Sequence, residues 1–359
     1  MSMLPLLLCL LVSLTSVLGA PEAFFRPPAG WREKRPGEVL RSRTVHPQLF
    51  DKGPVNVTAH QVLYRTSGTA PSEASHTVTT VLVPEQPLKD QLVLFAPEED
   101  SVSATCAPSA MVASPWEGVS EFVADSLTEL LKRGYTVTMP DFEGPNSAFG
   151  AGRLGGHMSL DGVRATLAAG VAPLSRQSKV VGYGYSGGSV PVGWALGGTV
   201  ADVGTLMQYQ DDGTFSGYAL TDIAGLRAAY PELARALRSR LTRKGEEALR
   251  YDTAFIDVFR TLVLGARRQE TPIAPVFMFH VLRDITVPYG QARRAARHWA
   301  AYGANVTLLT NVHPNAQHQT EDVATLPRLM QFLRERFEGR PFPKGLTLRN
   351  VSCVEQCAA

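Results

Sequence analysis

Two kinds of apolar pattern alternate along this chain. Gln91-Leu-Val-Leu-Phe-Ala96 is a short, unbroken apolar run, the pattern of a strand buried on both faces. His76–Pro84 alternates β-branched residues, and Tyr135–Met139, Lys179–Gly184, Ala274–Val281 and Asn305–Thr310 are also strand-like. Between these runs, apolar residues recur at helical spacing in Val119–Arg133, which Gly134 closes, and in Leu160–Val171, Gln291–Tyr302 and Val323–Phe337. Short buried strands alternating with helices predict an α/β protein built on a mainly parallel sheet.

Three stretches depart from this alternation. Leu4–Leu18 is apolar and uncharged, and Gly19-Ala20 followed by Pro21 closes it. That is the form of a secretory signal peptide, too short to span a bilayer comfortably, so the mature chain is expected to start near Ala20 or Pro21. Residues 21–45 are rich in Pro, Gly and Arg and read as an irregular arm over the domain. Asp211–Gln269 is helical in pattern, rich in Arg and Ala, and has no strand of its own. It reads as an insertion over the carboxyl ends of the strands, where ligands bind in open α/β sheets. The organisation implied is a signal peptide over 1–20, core over 21–210, a helical cap over 211–269, core again over 270–345 and a tail over 346–359.

Composition narrows the function classes. The formal net charge of +2 over 359 residues is too small a surplus to suggest nucleic acid or an anionic membrane surface as partner. No integral span is expected once the signal is removed. Removing residues 1–20 takes away Cys9 and leaves Cys106, Cys353 and Cys357, which cannot all pair within one chain. The triplets beginning at Asn56, Asn305 and Asn350 are glycosylation acceptors in form. No His-x-x-x-His or Cys-x-x-Cys pattern occurs, which argues against a zinc hydrolase.

The chemistry centres on Gly184-Tyr-Ser-Gly-Gly188, placed directly after the strand Lys179–Gly184. Gly-x-Ser-x-Gly between a strand and a helix is the nucleophile elbow, a turn so tight that its neighbours lack a β-carbon. Ser186 then projects above the sheet, and a following helix directs N–H groups at developing negative charge. A serine needs a base, and the base needs an orienting carboxylate; in this arrangement the order is Ser, acid, His. Asp284 follows the strand Ala274–Val281, where the acid belongs. His313 and His318 both lie in the loop after the last strand, and His318, nearer the final helix, is the preferred base. His280 within a strand and His298 within a helix read as structural. No cofactor is required.

At this point the chain resembles the secretory fungal lipases of the Candida antarctica lipase A type. The resemblance runs from about residue 24 to 343 and is carried by Phe25-Arg-Pro-Pro-Ala-Gly-Trp31, Glu99-Asp-Ser101 with Cys106-Ala-Pro-Ser109, and Pro140-Asp-Phe-Glu-Gly-Pro145. Leu160-Asp-Gly-Val-Arg-Ala165, Gly182–Gly188, His280–Pro288 and Phe332-Leu-Arg-Glu-Arg-Phe337 continue it. It implies an α/β-hydrolase fold with a helical cap, a triad of Ser186, Asp284 and His318, and an oxyanion hole made by the backbone N–H groups of Asp100 and Gly187. The activity it implies is hydrolysis of acylglycerol esters at an oil–water interface by a secreted enzyme. An acyltransferase or peptidase with the same triad, or a secreted binding protein that has lost catalysis, are the competing readings.

The chain departs from this family pattern in two places. A helix from Gly187 to Ala195 is expected after the elbow, yet Leu196-Gly-Gly-Thr199 follows at once. The family has a longer helix and a further strand there, so roughly twenty residues, about one crossover, are absent and the sheet is expected to be truncated. The family's partner for Cys106 is also missing from the cap. Cys353 and Cys357 can pair with each other, or one can take Cys106.

Overall fold

The computed structural model describes residues 22–51, 53, 55–114, 120–189, 194–211, 216–238, 253–355 and 357. The signal peptide expectation lies outside them. Ten strands form one sheet: β1 (Val39–Val45), β2 (Val57–Ser67), β3 (Ala74–Pro84), β4 (Gln91–Ala96), β5 (Thr136–Pro140), β6 (Lys179–Tyr185), β7 (Ala195–Gly197), β8 (Val276–Val281), β9 (Val306–Asn311) and β10 (Leu346–Val351). Their order is β1-β2-β3-β5-β4-β6-β7-β8-β9-β10. The first three strands run antiparallel, β3 joins β5 antiparallel, and every later pairing is parallel. This is the α/β-hydrolase architecture expected.

The helices are α1 (Pro108–Val112), α2 (Glu121–Lys132), α3 (Gly152–Ala168), α4 (Val203–Asp211), α5 (Ser216–Ala229), α6 (Pro231–Arg238), α7 (Thr253–Thr261), α8 (Tyr289–Ala301) and α9 (His318–Phe337). Successive residues of a strand face opposite sides, and β4 shows the result. Val93 and Phe95 enter one core with Leu127 and Leu130 of α2 and Leu329 and Leu333 of α9. Leu92 and Leu94 enter a second core with Val163 of α3 and Ala292, Ala296 and Trp299 of α8. The four helices α4–α7 pack on a third core, where Val203, Leu206, Leu226 and Leu233 meet Leu154, Met158 and Val287.

Several expectations are corrected. The arm over residues 21–45 ends in β1, and the tail over 346–359 begins with β10; both are the sheet's outermost strands. An edge strand is paired on one side only and meets water, so Leu-Arg-Ser-Arg-Thr and Leu-Thr-Leu-Arg-Asn carry polar residues and leave no apolar run. β2 was also hidden, since its buried positions include Gln61, Arg65, Thr66 and Ser67. Thr66 donates to Asp161 Oδ2 at 2.8 Å, which satisfies one of these inside the fold. The helical segment begins at Val203, ahead of residue 211. Cys353 bonds to Cys357, with Cα atoms 5.4 Å apart, while Cys106 stays buried as a thiol.

The largest correction follows the elbow. Ser186–Ser189 is a single 3-10 turn, residues 190–193 lie outside the described ones, and Ala195 is already in β7. So Leu196-Gly197, the cluster expected after a missing strand, is itself the strand. It pairs Tyr183↔Ala195, Gly184↔Leu196 and Tyr185↔Gly197 on one side and Ala195↔Phe277, Leu196↔Met278 and Gly197↔Phe279 on the other. The sheet is therefore short at this point and continuous. Trp194 O and Gly198 N extend the ladder to Phe277 N at 2.8 Å and Phe279 O at 3.1 Å.

Gly197 fits only because it has no side chain. A β-carbon there would lie 2.3 Å from the Phe279 ring and 2.4 Å from the Tyr185 ring. Gly197→Ala is expected to lower unfolding free energy by about 1–3 kcal/mol through overpacking. Gly156→Ala in α3, where a β-carbon meets nothing within 4 Å, is expected to raise it by roughly 0.5–1 kcal/mol. Urea denaturation of both variants checks the pair; a neutral Gly197→Ala would mean that the short strand yields.

Candidate active site

Ser186 follows β6 with φ of +50°, a left-handed conformation that costs a non-glycine residue energy. The surrounding backbone leaves the turn no alternative. A β-carbon on Gly184 would sit 2.1 Å from Gly188 O, and one on Gly188 would sit 2.0 Å from Ala96 O. The glycines thus let strand, turn and the neighbouring β4 end approach within contact distance, as the sequence pattern predicts.

Asp284 lies in the loop after β8. Its Oδ1 accepts hydrogen bonds from the Thr286 and Val287 N–H groups, both at 2.8 Å, which folds Arg283–Pro288 into a compact turn. His318 lies in the first turn of α9, not in the loop before it. The helix starts early because Gln317 and Thr320 exchange side-chain hydrogen bonds with each other's backbone N–H, a capping box. Tyr185 Oη donates to His318 O at 2.6 Å and its ring lies 5.3 Å from the imidazole. Gly198, at φ of +51°, passes so near that a β-carbon would fall 2.6 Å from His318 Cε1.

These elements bring the three expected side chains together. His318 Nδ1 lies 2.7 Å from Asp284 Oδ2, and His318 Nε2 lies 2.9 Å from Ser186 Oγ. A carboxylate facing Nδ1 fixes the proton there, which leaves Nε2 to accept from the serine hydroxyl. His313 is elsewhere, accepting from Asn315 N at 3.1 Å. His298 is exposed on α8. Asp100, in the loop after β4, has φ of +44°. Its Oδ1 lies 2.2 Å from where a Gly187 β-carbon would be, so Asp100 and Gly187 abut. Both line, together with Ser186, a partly open pocket of about 590 Å³, a volume that includes solvent at its mouth. Among the described residues, no group of three His, Cys, Asp or Glu side chains is arranged to hold a metal ion.

The electrostatics were not legible in the sequence. The cavity wall combines apolar Phe142, Phe149, Val203, Leu206 and Val287 with the acidic Asp100, Glu143 and Asp222. Burial, joined by the Asp100 charge, pushes Glu98 up to about 8. Burial pushes Asp141 to about 7 and Asp100 to about 6, the latter opposed by His318. Glu99, Glu143 and Asp222 are driven well above the carboxylate range by burial and by neighbouring acids. Asp284 is the exception. Burial pushes it up, but the His318 charge, hydrogen bonds from His280 and His318 and the His280 charge together hold it well below the usual range. Burial pushes His318 down, and Asp284 more than reverses this, with Asp100 and Glu98 adding to the rise.

A pH dependence of stability follows. Carboxyls raised in the folded state bind more protons there than in the unfolded chain. Their contribution is full below the ordinary carboxylate values, 3.8–4.5, and is lost as pH rises through about 6 to 8. The raised His318 has the same sign; the lowered Asp284 opposes it only in strong acid. Urea denaturation is expected to show stability falling from pH 5 to 8, with a slope of at most about 1.4 kcal/mol per pH unit for each proton. Glu98→Gln should flatten the slope. A flat or rising profile in the parent would contradict the reading.

Comparison with known proteins identifies the family. The family model described as Secretory lipase matches residues 119–256 and 251–345. The secreted triacylglycerol lipase LIP3 of Malassezia restricta is 35% identical over 378 residues, covering 90% of this chain and 81% of its own. LIP2 of Malassezia furfur is 36% identical, over 89% of this chain and 80% of its own. Alignments of 378 residues exceed the 359 of this chain, so the relatives carry residues with no counterpart here. The crystal structure of Candida antarctica lipase A superposes with a TM-score of 0.82 at 24% identity, covering 93% of this chain and 89% of that one. The esterase LipA of Xanthomonas oryzae gives 0.57 at 17% identity, covering 85% and 98%. With the match to the family model and relatives above a third identical along most of its length, this chain belongs to the secretory lipase family.

Proposed function

We propose that this secreted lipase hydrolyses acylglycerol esters through Ser186, His318 and Asp284, with an acyl-enzyme intermediate. The observation that carries the reading is the unbroken hydrogen-bond chain from Ser186 Oγ through His318 to Asp284, opening on the cavity. Ser186 Oγ forms a bond to the acyl carbonyl carbon while its proton passes to His318 Nε2. The oxyanion that develops is met by the backbone N–H groups of Asp100 and Gly187. His318 returns the proton to the glyceryl oxygen as the carbon–oxygen bond breaks. Water then repeats the sequence on the acyl-enzyme and frees the fatty acid. Asp284 orients the imidazole and stabilises its charged form.

Helices α4–α7 serve in this reading as the cap, of which α4 and α5 contribute Val203, Leu206, Gln210, Tyr218 and Asp222 to the cavity wall. Exposed apolar side chains support an oil–water interface as the place of action. Val102, Tyr209 and Ile285 are 42%, 42% and 63% exposed. Each is within two residues of a cavity-lining one: Asp100, Gln210 and Thr286 respectively. Apolar groups grouped around a mouth are suited to a lipid surface.

Two expectations test the reading. Ser186→Ala and His318→Ala should each lower turnover on the order of 10⁴–10⁶-fold, and the double variant should be little worse than either. Asp284→Asn should lose somewhat less, because His318 still contacts the serine in the wrong tautomer. Ester turnover of folded variants measures this, and wild-type turnover by Ser186→Ala would refute it. For the interface, Val102→Glu with Ile285→Glu should lower activity on emulsified triacylglycerol roughly tenfold or more and leave a soluble short ester within about twofold. Equal losses on both substrates would remove the interface from the account.

A further inference from the structure

His280 stands on β8 in line with Val276 and Met278, which face an apolar core with Ala292, Ala295 and Trp299. It is 0% exposed. A polar ring in such a position needs a partner, and its contacts lead to the candidate acid. His280 Nε2 lies 2.9 Å from Val287 O and 3.3 Å from Asp284 Oδ2. Both are acceptors, so Nε2 carries the proton. Nδ1 is buried with no hydrogen-bond partner among the described residues. Asp284 Oδ2 is the same oxygen that faces His318 Nδ1. The Asp284 carboxylate thus receives two backbone N–H groups on Oδ1 and the His318 imidazole on Oδ2, with His280 Nε2 in a longer contact to that same oxygen.

We propose that His280 is a positioning residue for the reaction: its Nε2–H anchors the loop that carries Asp284 and shares the carboxylate oxygen that orients His318. The inference rests on the triad reading given above. Two consequences follow from the geometry. The bond to Val287 O closes the loop on the strand, so Oδ2 is held at the imidazole of His318 and not left to rotate. The second contact draws charge from Oδ2, which keeps Asp284 from over-stabilising the His318 imidazolium that must release its proton in each half-reaction. The groups facing this relay are few. Around His280 they are Asp284 from the loop, Tyr289 of α8 with ring centroids 5.8 Å apart, and Glu321 of α9. Around His318 they are Asp284, Asp100, Glu98 and Tyr185.

The test is the pH profile of kcat/KM on a soluble ester for His280→Leu, His280→Gln and His280→Asn. The amide nitrogen of Gln reaches the place of Nε2; that of Asn falls short. Without the shared proton, Asp284 holds the His318 charge more tightly. The acidic limb of the Leu variant should therefore move upward by about half a pH unit or more, with kcat lower by roughly tenfold and KM little changed. Gln should restore the limb and most of kcat. Should Leu not fold, Asn and Gln still decide: Asn is expected to shift the limb and Gln not. Wild-type limbs in Leu and Asn, or equal shifts in Asn and Gln, would overturn the proposal. Ser186→Ala run alongside separates the failures. If it stays active, the triad reading is wrong; if it is inactive while the His280 profiles do not move, only the role of His280 is.

Discussion

Ala195–Gly197 holds the strand that carries the serine two strand spacings, on the order of 10 Å, from the strand that leads to the acid. His318 follows the next strand again, β9, and reaches back over β7 to meet Ser186. Three residues suffice for this because a parallel ladder needs only enough backbone to satisfy the facing N–H and C=O groups. The same short strand dictates its own composition. Gly197 lies against Phe279 and Tyr185 where no β-carbon fits, and Gly198 turns beneath the imidazole. Shortening the crossover therefore alters what lies beyond the elbow without changing the spacing on which the site depends.

A second consequence concerns the helix expected after the serine. The described part is the 3-10 turn Ser186–Ser189, too short to gather a helix dipole. In the proposed mechanism the oxyanion is met by the individual N–H groups of Asp100 and Gly187, with low polarity around them. The raised carboxyls fit that requirement. Glu143 and Asp222 line the cavity, and kept protonated by burial they add no negative charge beside a developing oxyanion. Asp284 alone is held firmly ionised, by the four donors around it. One negative charge is placed where the imidazolium forms, and those of Glu143 and Asp222 are suppressed.

Much of this was readable in advance, for physical reasons. Strands buried on both faces, such as β4 and the inner part of β6, are apolar over most of their length, so much of the central sheet could be read directly; the three-residue β7 could not. Ser186 and Asp284 follow strands legible in the sequence, and the fold brings both within hydrogen-bond reach of His318 in the first turn of α9. What stayed hidden depends on partners distant in sequence. β1 and β10 are half-wet edges, and β2 buries polar residues whose hydrogen bonds lie elsewhere, as Thr66 finds Asp161. His280 looked like an ordinary buried histidine until Val287 and Asp284 folded back upon it. The suppressed acids left no trace in the composition, because a carboxyl's proton affinity is set by the walls around it.

The central claim is that Ser186 is activated by His318 in the folded chain. Reaction with a serine-directed alkyl phosphonate, followed by intact-mass measurement and peptide mapping, tests it most directly, because attack on phosphorus requires the same deprotonation. The account predicts one adduct per chain, located on Ser186, and its disappearance in folded His318→Ala. An unmodified parent, an adduct on another residue, or undiminished labelling of His318→Ala would contradict it.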